Sequence, residues 1–171
     1  MAAYLRRLTR WQAEQQRESV AALHAAAAWH GIAAHHDRQE FLSRFERHVG
    51  RGGFDMTAAD DAGLIGCAYG YHLGSEDAWW SEAMPQAEEL AASGGVFELA
   101  ELMVLPAHRR HSIATRLVEL LLSRHATDLV VTRVERSADG FRELLRTSGW
   151  KELPWAVGAA EREVWARDAI R

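Results

Sequence analysis

Residues Phe97–Arg124 read FELAELMVLPAHRRHSIATRLVELLLSR, and this run decides the fold. Phe97–Leu105 has the apolar density of a buried strand, and Pro106 turns the chain sharply. A basic loop with Arg109 and Arg110 follows. From Ser112 to His125 the residues Leu117, Val118, Leu121 and Leu122 give a helix a broad apolar face. Strand, turn, basic loop and helix is the physical layout of a site for a phosphorylated cofactor. The amides of a helix's first turn have no intrahelical acceptor, and the helix dipole adds partial positive charge there. On these residues alone, the two arginines either face such an anion or only solvate a helix start.

Outward from this run, the elements follow from periodicity and turn chemistry. Ala3–Leu8 reads as a short strand. Ala13–Trp29 reads as a helix, with Val20, Leu23, Ala27 and Ala28 at helical spacing and Gly31 as its stop. Asp37 and Glu40 have capping-box spacing for a second helix to about Val49. Phe54–Ala59 and Leu64–Leu73 pair as a hairpin through Asp60-Asp61-Ala62-Gly63, where Gly63 takes positive φ. Between Gly74 and Gly95 a helix is expected at about Ala83–Ala92. Asp128–Val134 is a β-branched strand. Gly140–Thr147 is a short helix ended by Gly149, and Trp150–Val157 and Glu163–Arg167 are the last strands. This order is α/β with a mixed sheet, in a single domain spanning 1–171.

The chain has 171 residues, 48% of them hydrophobic, and a formal net charge of −4. That supports a real core and argues against general nucleic-acid binding, which needs many Lys and Arg contacts to phosphate. Cys67 is the only cysteine, so it forms no internal disulfide, and its apolar run LIGCAYGY makes it a small buried hydrophobe. No apolar run approaches the ~20 residues of a membrane span. MAAYLRRLTRW lacks a signal-peptide apolar region. A cytoplasmic protein that binds neither membrane nor nucleic acid is expected.

Val104-x-Pro106-x-x-Arg109-x-x-Ser112-Ile113-Ala114 resembles the V-x-P-x-x-[RQ]-x-x-G-x-[GA] signature of the GCN5-related N-acetyltransferase (GNAT) family. The resemblance implies a mixed, mostly antiparallel sheet with splayed middle strands and flanking helices. It implies acetyl-CoA as cofactor. Met103 and Val104 would lie beside its pantetheine and acetyl group, with Arg109, Arg110, His111, Ser112, Ile113, Ala114 and Thr115 around its pyrophosphate. Ser112 stands where the family has glycine, which a serine can replace only if the local backbone is helical.

Acetyl transfer to an amine needs a polarised thioester, a deprotonated amine and a stabilised thiolate. Glu98 and Glu101 lie on the strand that borders the implied site, three apart and so on opposite faces. The resemblance implies Glu98 as catalytic base, through a water, with Glu101 second. The alternative is that Glu98 binds substrate or pairs with an arginine. Many family members carry a tyrosine acid four residues before the closing Gly-aromatic pair. Here that position is Leu145. Ser137 and Asp139 lie near the family's cofactor-contacting asparagine, so Ser137 is a cofactor candidate.

Trp79 and Trp80 sit in an expected loop beside Glu76, Asp77 and Glu82, a setting for a cationic amine with an apolar body. They serve either that substrate or packing and a dimer interface. Tyr71 shares a strand face with Tyr69 and either lines the cleft or packs, and Trp11 and Trp29 are expected in the core or a groove. Neither His35-His36 nor His108 with His111 completes a metal ligand set, so no metal is expected. The leading expectation is an N-acetyltransferase of a primary amine, small-molecule or protein, acting by direct attack, either as a monomer or as a homodimer. The rival is an acyl-CoA sensor on the same fold with little turnover.

Overall fold

The computed structural model describes residues 3–27, 34–87, 95–136, 138–153 and 162–168, with side chains omitted at 34–37, 83–87 and 110–111. Its strands are β1 (Tyr4–Leu8), β2 (Asp55–Asp60), β3 (Leu64–His72), β4 (Val96–Val104), β5 (Leu129–Glu135), β6 (Lys151–Leu153) and β7 (Arg162–Arg167). Its helices are α1 (Arg10–Gln15), α2 (Arg17–Ala27), α3 (Ala34–Val49), α4 (Ala78–Ala87), α5 (Ile113–Leu122) and α6 (Asp139–Thr147). The strands form one sheet ordered β1-β2-β3-β4-β5-β7-β6. It is mixed and mostly antiparallel, with β4–β5 as a parallel pair. The chain divides into two compact units, residues 1–71 with 101–123, and 72–100 with 124–171. β4 contributes to both.

In the first unit, β1, β2 and β3 are a meander whose register places Arg6 opposite Ala58 and Ala58 opposite Cys67. Arg6–Asp60 and Arg7–Asp55 ion pairs, both 2.8 Å, fasten β1 to β2. The hairpin turn takes positive φ at Gly63, as its sequence requires, and also at Ala62, beside a bulge at Ala59/Asp60. Val20 and Leu23 of α2, Phe41 and Phe45 of α3, and Met56 and Tyr69 of the meander are buried here. Leu117 and Leu121 of α5 are buried too, and the Leu117 carbonyl accepts from Thr57 Oγ1 at 3.0 Å.

In the second unit, Trp80, Val96, Leu129, Val131, Val164 and Ala166 make the core, with Leu73, Trp79 and Leu153 packed against it. The β4–β5 ladder holds three pairs and ends at Glu98↔Val131, although both strands run on. α6 ends at Thr147, and Gly149 just beyond it takes a φ of 83° that only glycine adopts freely.

Several boundaries differ from the sequence reading. As far as Ala27 the expected helix 13–29 is two helices, and its last two residues lie outside the described ones. A Thr9/Gln12 capping box starts α1 at Arg10, and the Gln16 amide bonds both Gln12 and Ala13 carbonyls, tightening and ending the turn. α3 starts at Ala34, so Asp37 lies inside the helix rather than capping it. α4 starts at Ala78, five residues early, because the Asp77 carbonyl takes the first helical bond, from Ser81. Gly31, residues 88–92 and 154–157 lie outside the described residues. No helix among the described residues is long and apolar enough to cross a membrane.

Candidate active site

β4 leaves the sheet at Val104, and the Leu105 amide still donates to Ile65 O at 2.8 Å. Pro106–His111 then form a 3-10 turn rather than an open loop. It closes on Ser112 at φ 58°, ψ 19°, the left-handed conformation. The expectation that serine here requires a helical backbone is therefore wrong: Ser112 adopts the conformation for which glycine is favoured. For an L-residue this costs about 1–2 kcal/mol. It redirects the chain so that α5 begins at the next residue. The Ser112 side chain makes no capping bond, and Arg116 N takes its carbonyl at 3.0 Å. The amides of Ile113, Ala114 and Thr115 are thus first-turn donors with no intrahelical acceptor.

Arg109 is bonded to two backbone carbonyls. Its Nε donates to Val104 O at 3.1 Å and its Nη2 to Ala27 O at 2.9 Å. Burial lowers its pKa from the usual guanidinium value. The side chain therefore clamps the end of β4 to the end of α2, and so shapes the turn. His108 Nε2 lies 3.6 Å from Asp61 Oδ2. Met103, Val104 and Ile113 are buried behind the turn, while Ser112 is exposed. Gly66 of β3 lets this packing close, since a Cβ there would sit 3.0 Å from Met103 O and 3.2 Å from Leu117. The side chains of Arg110 and His111, and residue Ser137, lie outside what is described.

The two β4 glutamates face different partners, as residues three apart on a strand should. Glu98 is buried, and its Oε1 accepts from Arg133 Nε at 2.9 Å. Glu98 registers with Val131, so Arg133, two residues on, shares its face. The Arg133 guanidinium also lies 4.5 Å from the centroid of the Trp79 ring. Trp79, Arg133 and Glu98 are thus one connected set in the second unit. Glu101 is half-buried and accepts from Arg44 of α3 at 3.0 Å, in the first unit.

Beside Glu101's strand the first unit holds a cluster that the sequence did not reveal. His48 of α3 lies between two hydroxyls, Tyr69 Oη at 3.5 Å and Tyr71 Oη at 3.4 Å. Arg51 covers the Tyr71 ring at 4.3 Å. Burial, then the charge of Glu101, pushes the Tyr69 phenol well up and also raises the Cys67 thiol. Cys67 is fully buried and held as the thiol. His48, Arg44 and Arg133 meet their partners only through tertiary pairing, so no local signal marks them.

The tryptophan pair is not in a loop. Trp79 and Trp80 occupy the first turn of α4, ring centroids 5.9 Å apart. Trp80 is buried in the core, and Tyr71 is buried beneath His48 and Arg51. Among the described residues the exposed tryptophan is instead Trp11, 67% accessible on α1, where the sequence suggested the core or a groove. Leu145 is packed inside, with no acid at that position of α6.

Known folds match this arrangement along nearly its whole length. The PaiA N-acetyltransferase of Thermoplasma acidophilum, solved with coenzyme A, superposes with a TM-score of 0.68 at 13% identity, covering 98% of this chain and 99% of its own. NAA60 of Arabidopsis thaliana, solved with acetyl-CoA, gives 0.66 at 12%, covering 98% of both chains. The ribosomal-protein-S18-alanine N-acetyltransferase of Escherichia coli gives 0.65 at 12%, covering 99% and 96%. At such identities the likeness is one of fold. No curated protein matches the chain. The model of the Acetyltransferase (GNAT) family, however, matches residues 6–141, from β1 through β4 and the Ser112 turn into α6, and the chain belongs to that family.

Proposed function

We propose that this chain is an acetyl-CoA-dependent N-acetyltransferase that acetylates a primary amine of a small molecule by direct attack. The observation that carries this reading is the left-handed turn at Ser112, which presents the first-turn amides of α5 straight after β4. The donor set suits a pyrophosphate: backbone amides at a helix start and no carboxylate among residues 104–115. The amides of Ile113, Ala114 and Thr115 would hold the phosphates, with Met103 and Val104 along the pantetheine. Bound acetyl-CoA supplies the thioester whose carbonyl the amine attacks. Arg109 acts on this site through the backbone it clamps.

Glu98 takes the amine's proton, through a water. Glu101, paired to Arg44, is the second candidate. Trp79 is the substrate-side aromatic of this reading, since Trp80 and Tyr71 are committed to packing. The buried Cys67 thiol supports direct attack over an acyl-cysteine route.

The test is thiol release from acetyl-CoA across a panel of small primary amines and amino-terminal peptides, with Glu98→Gln as control. Turnover on small amines that falls in Glu98→Gln supports the proposal. Turnover confined to peptides moves the substrate to proteins, the class named for the Escherichia coli neighbour. One observation favours a second reading, an acyl-CoA sensor: both β4 glutamates are ion-paired to arginine and Leu145 supplies no acid. Tight acetyl-CoA binding with no thiol release on either set would establish it.

A further inference from the structure

The opposite end of β4 carries a second constellation, unrelated to the turn at Ser112. His72 closes β3, His125 lies between α5 and β5, and Asp128 immediately precedes β5. His72 Nε2 and His125 Nδ1 each lie 3.1 Å from Asp128 Oδ2. These three ligand-type atoms are all within 4.8 Å of one another. The other carboxylate oxygen, Oδ1, accepts from Gly95 N at 3.1 Å, which turns Oδ2 toward the two imidazoles. Both rings are held as well. His125 stacks on Phe97 at 3.9 Å and 21°, and His72 meets Phe97 and His125 edge-on at 5.6 Å. Gly95 completes the fit, because a Cβ there would sit 3.4 Å from both Asp128 Oδ1 and His72 Cδ2.

We infer that His72, His125 and Asp128 are the protein ligands of a divalent first-row metal ion of the zinc class. Two imidazoles and one carboxylate are a borderline donor set, suited to Zn²⁺ or Co²⁺ and not to Ca²⁺ or Mg²⁺, which take oxygen ligands. With metal–ligand bonds of about 2.0–2.2 Å, neighbouring donors around one ion lie about 3–3.5 Å apart. The two 3.1 Å separations fall in that range. The Gly95 amide on Oδ1 is the outer contact that fixes the orientation of a ligating carboxylate. His125 and Asp128 are nearly enclosed, whereas the His72 side chain is 41% exposed. That leaves one side open for water to complete the coordination shell. The ion would tie the end of β3 to the start of β5, a structural role independent of acetyl transfer.

The experiment is titration of tag-free full-length protein with Co²⁺, followed by absorbance, then displacement with Zn²⁺ and a thermal melt. We expect one equivalent of Co²⁺ with visible d–d bands, bands bleached by Zn²⁺, and a Zn²⁺-dependent rise in Tm. All three should be lost in His72→Ala and kept in His35→Ala/His36→Ala. Should His72→Ala fail to fold, Asp128→Asn removes the anionic ligand while retaining a group for the Gly95 amide, and should also lose the bands. Absent bands at excess Co²⁺, or binding unchanged in both cluster variants, would overturn the inference and leave a metal-free hydrogen-bonded triad. Acetyl-CoA binding, measured on the same samples, reports separately on the acetyltransferase reading.

Discussion

The two ends of β4 are built in opposite ways. After its last residue, Val104, the proposed anion site is one continuous run, Pro106–Thr115, and its donors would be backbone amides. Before its first residue, Val96, the chain gathers His72, His125 and Asp128, with the two outer residues 56 positions apart. The first end needs only a turn and a helix start, so a short motif specifies it. The second needs three elements docked correctly, and nothing local announces it. A motif is legible when its chemistry resides in the backbone of one segment. It is silent when the chemistry resides in side chains that tertiary structure brings together.

This contrast can be broken at several points, the largest effect first. Glu98→Gln should lower kcat by about 100-fold or more, as expected for loss of a general base, while leaving acetyl-CoA affinity unchanged. Thiol-release kinetics beside calorimetry check this. Equal losses in Glu98→Gln and Glu101→Gln would remove the distinction between the two faces of β4. Next, Arg109→Ala should destabilise the fold by about 2 kcal/mol, because two charge-assisted bonds to Val104 and Ala27 carbonyls are lost. Urea unfolding measures it. Arg109→Lys should recover only part, since an ammonium lacks the fork that spans both carbonyls.

A smaller effect belongs to the other end. Burial alone would raise the Asp128 pKa, but the hydrogen bonds and charges of His72 and His125 outweigh it and hold the carboxyl below its usual value. The unfolded chain then binds this proton first as pH falls. The stabilisation is fully present above the ordinary carboxylate pKa of about 3.9 and is lost below it, toward the lower folded value. Metal-free protein should therefore lose Tm more steeply in that acid window than Asp128→Asn does. The smallest effect is a gain: Ser112→Gly should stabilise by about 1 kcal/mol, relieving the left-handed backbone. Ser112→Ala should give no such gain.

The strand, turn and helix from Phe97 onward were readable because apolar periodicity, Pro106 and the basic loop agree. What failed there was one dihedral: Ser112 is left-handed, and residue type alone argued otherwise. Gly63 and Gly149 behaved as their turns demand. The start of α1 was legible and missed, since Thr9 and Gln12 carry a capping box. The break at Gln16 had no comparable signal. Trp79 and Trp80 looked loop-borne among acidic residues, yet Asp77 opens a helix and Trp80 fills the core beneath it. Strand spacing alone put the two glutamates on opposite faces, but their arginines, and His48 between two tyrosines, depend on contacts across 21 to 57 residues.

The most direct test of the anion site at the end of β4 is calorimetric titration of acetyl-CoA into the natural chain and into Ser112→Asp. Aspartate tolerates the left-handed region and is a good helix cap, so the variant should fold. Its carboxylate would stand where the phosphates are to be held. Micromolar binding by the natural chain, lost in Ser112→Asp at unchanged Tm, is the expected result. Equal binding by the two proteins, or none by either at millimolar acetyl-CoA, would contradict a cofactor site at this turn.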